Sequence, residues 1–112
     1  MENIHYETHG SGHQTFVLLH KAGGDLNFFK PQISFLQTYG KVIAIDLLGH
    51  GKSQKPEQDY SVAEYAADIN NLLNELNINQ AVGIGLNYGA NIFIEMGSKH
   101  IKNLMMIAPH FS

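Results

Sequence analysis

The chain has 112 residues, of which 44% are hydrophobic and 15% charged, a balance that predicts one soluble globular domain over residues 1–112. Seven lysines, no arginine and ten acidic residues give a formal charge of −3, which excludes the basic footprint needed for nucleic acid or an anionic membrane surface. The chain has no cysteine and no apolar stretch of membrane-spanning length, so we expect a cytoplasmic protein without disulfides or thiolate metal sites.

Short strands and one helix alternate in the first half of the chain. A strand covered on both faces is a continuous apolar run, as in QTFVLL and KVIAID, whereas a helix repeats its apolar residues every three to four positions. Phe29, Ile33 and Leu36 follow the helical spacing. The predicted elements are strands at 4–9, 14–19 and 41–46, a helix at 30–38, and a glycine-punctuated loop at 47–60.

The second half continues the alternation. Ser61 and Glu64 match a capping box, and apolar residues from Val62 to Leu76 form one helical stripe, which makes this the best-specified helix of the chain. The remaining predicted elements are strands at 80–86 and 103–108 and a helix at 88–99.

Alternating strands and helices predict an α/β fold with a parallel sheet and helices on both faces. Ligands of such sheets bind at the carboxyl ends of the strands. The loops in which a site is expected follow His20, Asp46, Leu86 and Ala108.

The turn after the strand at 80–86 carries the motif GLNYG, Gly85 to Gly89. Its spacing is that of the nucleophile elbow G-x-S-x-G, in which flanking glycines allow a sharp turn that pushes one side chain into the cleft. The nucleophile position holds Asn87, whose neutral amide is a very poor nucleophile. On its own this spacing favours a tight turn with no chemistry, so the interpretation depends on two further loops.

Those loops are HKAGG, from His20, and DLLGHGKS, from Asp46. Together with VGIGLNYGA they resemble the three early signatures of the α/β-hydrolase family, HGxxG, DxxGxGxS and GxSxG, in the same order and at the same strand ends. The opening NIHYETHGSG resembles that family's N-terminal hairpin. The resemblance covers nearly the whole chain and implies the N-terminal half of an α/β-hydrolase, a three-layer sandwich.

The resemblance also implies an oxyanion hole built from the backbone N–H groups of Tyr88 and Ala22. Lys21 stands where the family nearly always has glycine, and we expect its β-carbon to disfavour the backbone conformation that aims the donor. The loop and elbow residues expected to form the binding site are His20, Lys21, Gly23, Gly85 and Gly89.

The ancestral nucleophile is left open between two residue types. Esterases of the family use Ser, whereas epoxide hydrolases and haloalkane dehalogenases use Asp, often followed by an aromatic residue such as Tyr88. The HKAGGDLNFF loop looks more like the esterase and carbon–carbon hydrolase branch. This favours Ser, with Asp as the alternative.

In the family, the acid and the histidine of the triad lie on loops after later strands. No Asp or Glu follows Glu95, and His100 and His110 lie too close to the elbow in sequence to match the family's histidine. We therefore expect a truncated hydrolase-family chain that is inactive alone, while its full-length relatives cleave esters or related bonds. The alternatives are a non-catalytic binding or interaction half-domain and a truncated gene product. The substrate stays open.

A sheet ending with the strand at 103–108 leaves Leu104 to Ile107 on an open edge, which predicts self-association or pairing with a C-terminal complementary fragment. The expected ligand is a small ester-like molecule, without a cofactor. His5, Glu7 and His9 share one strand face, and we interpret them as exposed hairpin residues rather than metal ligands.

Overall fold

A computed structural model describes residues 3–107 and places five strands in one sheet, in the order β1–β3–β2–β4–β5. The strands are β1 Tyr6–His9, β2 Thr15–Leu19, β3 Lys41–Ile45, β4 Ala81–Leu86 and β5 Ile101–Ile107. Strands β2 to β5 pair in parallel, and β1 is antiparallel to β3. The central strands β2 and β3 are almost completely buried, as their continuous apolar runs predict.

Helices cover both faces of this sheet. They are α1 Lys30–Leu36, preceded by a 3-10 turn at Leu26–Phe29, α2 Val62–Glu75 and α3 Tyr88–Met96. Helices α2 and α3 pack on one face through Ile69, Leu73 and Phe93. The 3-10 turn and α1 pack on the other through Phe29 and Ile33. The predicted α/β three-layer architecture is confirmed.

Helix α2 begins as predicted. Ser61 Oγ accepts a hydrogen bond from the N–H of Glu64 at 3.1 Å, and the Glu64 carboxylate accepts one from the N–H of Ser61 at 3.0 Å. The rings of Tyr60 and Tyr65, on either side of the cap, meet edge to face with their centres 5.1 Å apart. The capping box therefore satisfies backbone donors that a helix start leaves free.

The N-terminal strand pairs differently from a hairpin. β1 lies beside β3 rather than beside the strand that follows it, so the expectation of a hairpin is wrong. The N–H of Asp46 donates to the carbonyl of His5 at 2.9 Å, and the N–H of Gln54 donates to that of Asn3, also at 2.9 Å. These bonds tie the chain before β1 to the loop after β3.

Two elements of the second half also differ from prediction. α3 ends at Met96 instead of residue 99, because Gly97 adopts a φ of 75° that cannot continue a right-handed helix. β5 begins two residues early, and Met105 and Met106 are 57% and 44% exposed, so the expectation of a fully covered strand is wrong for the described residues. The expected open edge is observed there, and Ala108 lies outside the described residues.

Within residues 3–107, no helix combines the length and the apolar character needed to cross a membrane.

Candidate active site at the carboxyl ends of β2 and β4

The turn between β4 and α3 holds Asn87 in a backbone conformation that non-glycine residues rarely adopt, with φ 52° and ψ −111°. The N–H of Asn87 donates to the carbonyl of Ile107 at 2.9 Å, and its carbonyl accepts from the N–H of Ala90 at 3.0 Å. Its side-chain Oδ1 is buried and has no partner in the described part of the chain. This is the geometry of a nucleophile elbow with an amide in the nucleophile position.

The two glycines of the elbow are required by close packing. A β-carbon on Gly85 would lie 2.6 Å from the backbone of Ala90, inside any ordinary contact distance. One on Gly89 would overlap the carbonyl oxygen of Leu19 and lie 2.7 Å from that of His20. Gly85 therefore lets the start of α3 pack against β4, Gly89 lets it pack against the end of β2, and both glycines are buried.

Four residues selected from the sequence meet at one cleft. Lys21, Ala22, Asn87 and Tyr88 line an open cavity of about 230 Å³. Tyr88 is the first residue of α3, so its N–H lacks a partner within the helix. The N–H groups of Ala22 and Tyr88 take no part in the backbone hydrogen bonds of the described turns. The cleft thus brings together two backbone N–H groups that have no partner in the described turns, and Lys21 contributes to its lining.

Lys21 does not adopt a left-handed backbone conformation. Among residues 3–107, the non-glycine residues with positive φ are Asn77 and Asn87. The carbonyl of Lys21 accepts a hydrogen bond from the N–H of Gly24 at 3.0 Å, closing a turn. A lysine in place of the usual glycine therefore leaves this turn intact.

His20 is fully buried beneath the cleft rather than lining it. Its Nδ1–H donates to the carbonyl of Lys21 at 2.7 Å, and its Nε2 accepts from the N–H of Leu47 at 3.0 Å. Burial lowers the pKa of His20, nearby His50 lowers it further, and the bond to Lys21 opposes both effects. His20 is therefore a neutral residue that joins the loop after β2 to the loop after β3.

Sequence patterns did not reveal how strongly Asp46 organises these loops. Its buried carboxylate accepts from the N–H of Leu26 at 2.8 Å and from that of Lys52 at 2.9 Å. Ser53 Oγ donates to the carbonyl of Asp46 at 2.5 Å and accepts from the N–H of His5 at 2.7 Å. Asp46 and Ser53 are the first and last residues of DLLGHGKS, so this motif was the sequence feature that pointed to their role.

Acid–base partners for residue 87 are not found in the described part of the chain. His100 is buried at the amino end of β5, where its Nδ1 bonds the carbonyl of Ile78 at 2.6 Å, so it lies at the opposite end of the sheet from the elbow. Glu95 lies on α3 and is exposed. His110 falls outside the described residues.

The three polar residues on the face of β1 interact with one another. His9 Nε2 lies 2.9 Å from Glu7 Oε1, and His5 Nε2 lies 3.8 Å from Glu7 Oε2. No group of three His, Asp or Glu side chains between Asn3 and Ile107 is arranged to hold a metal ion.

A mostly parallel sheet with helices on both faces, a strained strand-to-helix elbow and two backbone donors beside it define the N-terminal part of an α/β hydrolase. A family model of the alpha/beta hydrolase fold matches residues 14–112, and the chain belongs to this family.

The chain is similar to hydrolases of several kinds. It is 30% identical over 110 residues to the uncharacterized hydrolase YraK of Bacillus subtilis, covering 96% of this chain and 40% of that protein. Est816, an N-acyl homoserine lactone degrading enzyme, superposes with a TM-score of 0.90 at 27% identity, covering 96% of this chain and 42% of Est816. The epoxide hydrolase CorEH superposes with a TM-score of 0.88 at 28% identity, covering 94% and 38%. The chain therefore spans about 40% of the length of these relatives.

Proposed function

We propose that this chain binds the carbonyl or carboxylate oxygen of a small ester or acid in the cleft of Lys21, Ala22, Asn87 and Tyr88, and does not hydrolyse the ligand unaided. The observation that carries the proposal is the Asn87 elbow, which keeps the geometry of a nucleophile position while presenting an amide. The chain would then bind a ligand as the family's ester hydrolases do, without the step that cleaves it.

Binding is supported by the character of the cleft. The N–H groups of Ala22 and Tyr88 donate, and the start of α3 adds the partial positive charge of a helix N-terminus. Lys21 brings a positively charged side chain to this loop, and none of the described residues that line the cavity is acidic. Such a site stabilises a partly or fully negative oxygen, as an oxyanion hole does.

Lack of turnover is supported by the side chains around the elbow. An amide has no proton whose removal yields a useful nucleophile. The two buried imidazoles of the described residues are engaged elsewhere, His20 with backbone of two loops and His100 at the far end of the sheet. Among residues 3–107, a hydroxyl at position 87 would therefore still lack a base.

Hydrolysis of p-nitrophenyl butyrate tests this proposal in the wild type, in Asn87→Ser and in the matched control Asn74→Ser, which changes an exposed asparagine of α2. We expect all three to release p-nitrophenol at the rate of buffer. Turnover by the wild type would refute the proposal. Turnover by Asn87→Ser alone would show that the chain carries a base for residue 87.

We further propose that the acid and the histidine come from polypeptide that packs against β5 and the apolar groove beside it, as the remainder of an α/β-hydrolase domain. The groove has a volume of about 410 Å³, and the residues that line it include Phe35, Leu36, Ile84, Met105 and Ile107. Phe35 is 62% exposed, an unusual environment for a large aromatic residue. The relatives hold more than half of their length outside the matched region, which is the material that would cover this groove.

Light scattering after size exclusion tests this second proposal. We expect the isolated chain to self-associate through the uncovered surface, and co-expression with the C-terminal part of a relative such as Est816 to give a one-to-one complex. A monomer that melts cooperatively on its own would contradict the proposal, as would a homodimer that the C-terminal part cannot displace.

A further inference from the structure

The His50 imidazole joins the loop after β3 to the loop that carries Ala22. Its Nδ1 lies 3.0 Å from the carbonyl oxygen of Leu48, and its Nε2 lies 2.9 Å from the backbone nitrogen of Gly23. A carbonyl oxygen can only accept, and a backbone N–H can only donate. The partners therefore require a neutral ring with its hydrogen on Nδ1 and a lone pair on Nε2.

His20 makes the reciprocal connection. It belongs to the loop after β2 and reaches Leu47 after β3, whereas His50 belongs to the loop after β3 and reaches Gly23 after β2. The two ring centres are 5.0 Å apart. Both loops are thus held to each other by two N–H···N bonds, one buried and one near the surface.

Ala22 lies between the atoms that these rings hold. The Lys21 carbonyl before it accepts from His20, and the Gly23 N–H after it donates to His50. The peptide planes on either side of Ala22 are therefore oriented by imidazoles, and so is the direction of its own N–H. Without the bond to His50, the backbone of residues 22–24 keeps only the hydrogen bond from the N–H of Gly24 to the carbonyl of Lys21.

We propose that His50 is a positioning residue that orients the Ala22 donor through Gly23, and that loss of its Nε2 acceptor releases this turn and weakens ligand binding. The ligand-binding part of this inference rests on the proposed function, whereas the connection between His50 and Gly23 does not.

The bond between His50 and Gly23 can be removed without disturbing the core. The His50 ring is half-buried and Gly23 is exposed. The buried His20 ring keeps its own bonds to the carbonyl of Lys21 and the N–H of Leu47, so the inner connection between the two loops stays in place.

Nuclear magnetic resonance of the ligand-free 112-residue chain tests the inference. Histidine side-chain ¹⁵N shifts report the tautomer of His50, and hydrogen exchange reports the protection factors of the Gly23 and Ala22 amides. We expect His50 with its hydrogen on Nδ1 at pH 8. We also expect the Gly23 protection factor to fall about fivefold in a variant without the acceptor, as for loss of one hydrogen bond.

Variants separate the acceptor from the bulk of the side chain. His50→Gln keeps an acceptor oxygen near the position of Nε2, so it should keep Gly23 protected. His50→Leu removes the acceptor and should lose the protection. His13→Gln, at an exposed position in the turn before β2, is the matched control and should behave as wild type.

The inference is overturned if His50→Leu leaves Gly23 protection unchanged, or if His50→Gln loses that protection as His50→Leu does. Butyrate affinity measured on the same samples tests the functional consequence, with a decrease of at least about threefold expected in His50→Leu. Loss of Gly23 protection in His50→Leu, with no butyrate binding by the wild type or any variant, would support the connection and refute the proposed function.

Discussion

The contact between α3 and the end of β2 is the feature on which the elbow depends, and Gly89→Ala tests it. The added β-carbon would overlap the Leu19 carbonyl oxygen and lie 2.7 Å from that of His20, whereas ordinary contact begins near 3.4 Å. The start of α3 must therefore move away from β2 by roughly 1 Å. Overpacking of this kind costs about 1–3 kcal/mol, and both opposing atoms are backbone, so we take the upper value.

Alanine gains up to about 1 kcal/mol over glycine inside a helix, which leaves a net loss of about 2 kcal/mol. For a domain near this size, that loss lowers Tm by about 8–16 °C. Thermal unfolding followed by circular dichroism measures the change. The matched control is Gly24→Ala, whose β-carbon comes no closer than 3.2 Å to its neighbours and should change stability by less than about 1 kcal/mol. A Gly89→Ala melting temperature within about 3 °C of wild type would refute the reasoning.

Three further outcomes follow from the same structure. Tyr65→Phe removes the bond from the buried phenol to the Leu48 carbonyl at 2.9 Å, a carbonyl that keeps its bond to His50 Nδ1. Urea unfolding should show a loss of about 0.5–1.5 kcal/mol, whereas no loss would mean that water replaces the phenol. Ser61→Ala removes the cap of α2 and should cost about 1 kcal/mol in the same assay, and an unchanged midpoint would contradict the capping role. Burial lowers the pKa of His20 below the ordinary 6.5, so the unfolded chain binds more protons just below that pH. The free energy of unfolding should therefore keep its full His20 contribution above pH 6.5 and decrease as the pH falls below that value. A His20→Gln variant with an unaltered pH dependence would show that His20 is not the cause.

The parts of the fold that local patterns specify could be predicted from the sequence. The apolar runs of β2, β3 and β4 place these strands within one or two residues, because a strand buried on both faces needs such a run. Helix α2 begins where the Ser61 cap predicts. The position of β1 could not be predicted in this way, because its pairing with β3 depends on long-range backbone bonds such as that from Asp46 to His5.

The site, like the fold, has some features that local patterns predict and others that depend on residues far apart in sequence. The spacing of Gly85 and Gly89 locates the elbow, because the start of α3 comes too close to β4 at Gly85 and to β2 at Gly89 for any residue but glycine. The bond between His50 and Gly23 joins residues 27 positions apart and leaves no local pattern. The burial of β5 was overestimated, because an apolar run such as LMMI predicts a strand covered on both sides. In the described part of the chain β5 is the last strand of the sheet, and most of its residues are exposed.

The central claim is that the cleft binds a small acid or ester without turning it over. Titration of ¹⁵N-labelled wild type and Lys21→Met with sodium butyrate, and of the wild type with neutral butyramide, tests it most directly. We predict saturable shifts of the Ala22 and Tyr88 amides with butyrate and a several-fold weaker affinity in Lys21→Met, because the variant keeps the length of the side chain and loses the charge. Butyrate that leaves both amides unmoved, or that shifts residues away from the cleft instead, would contradict the account.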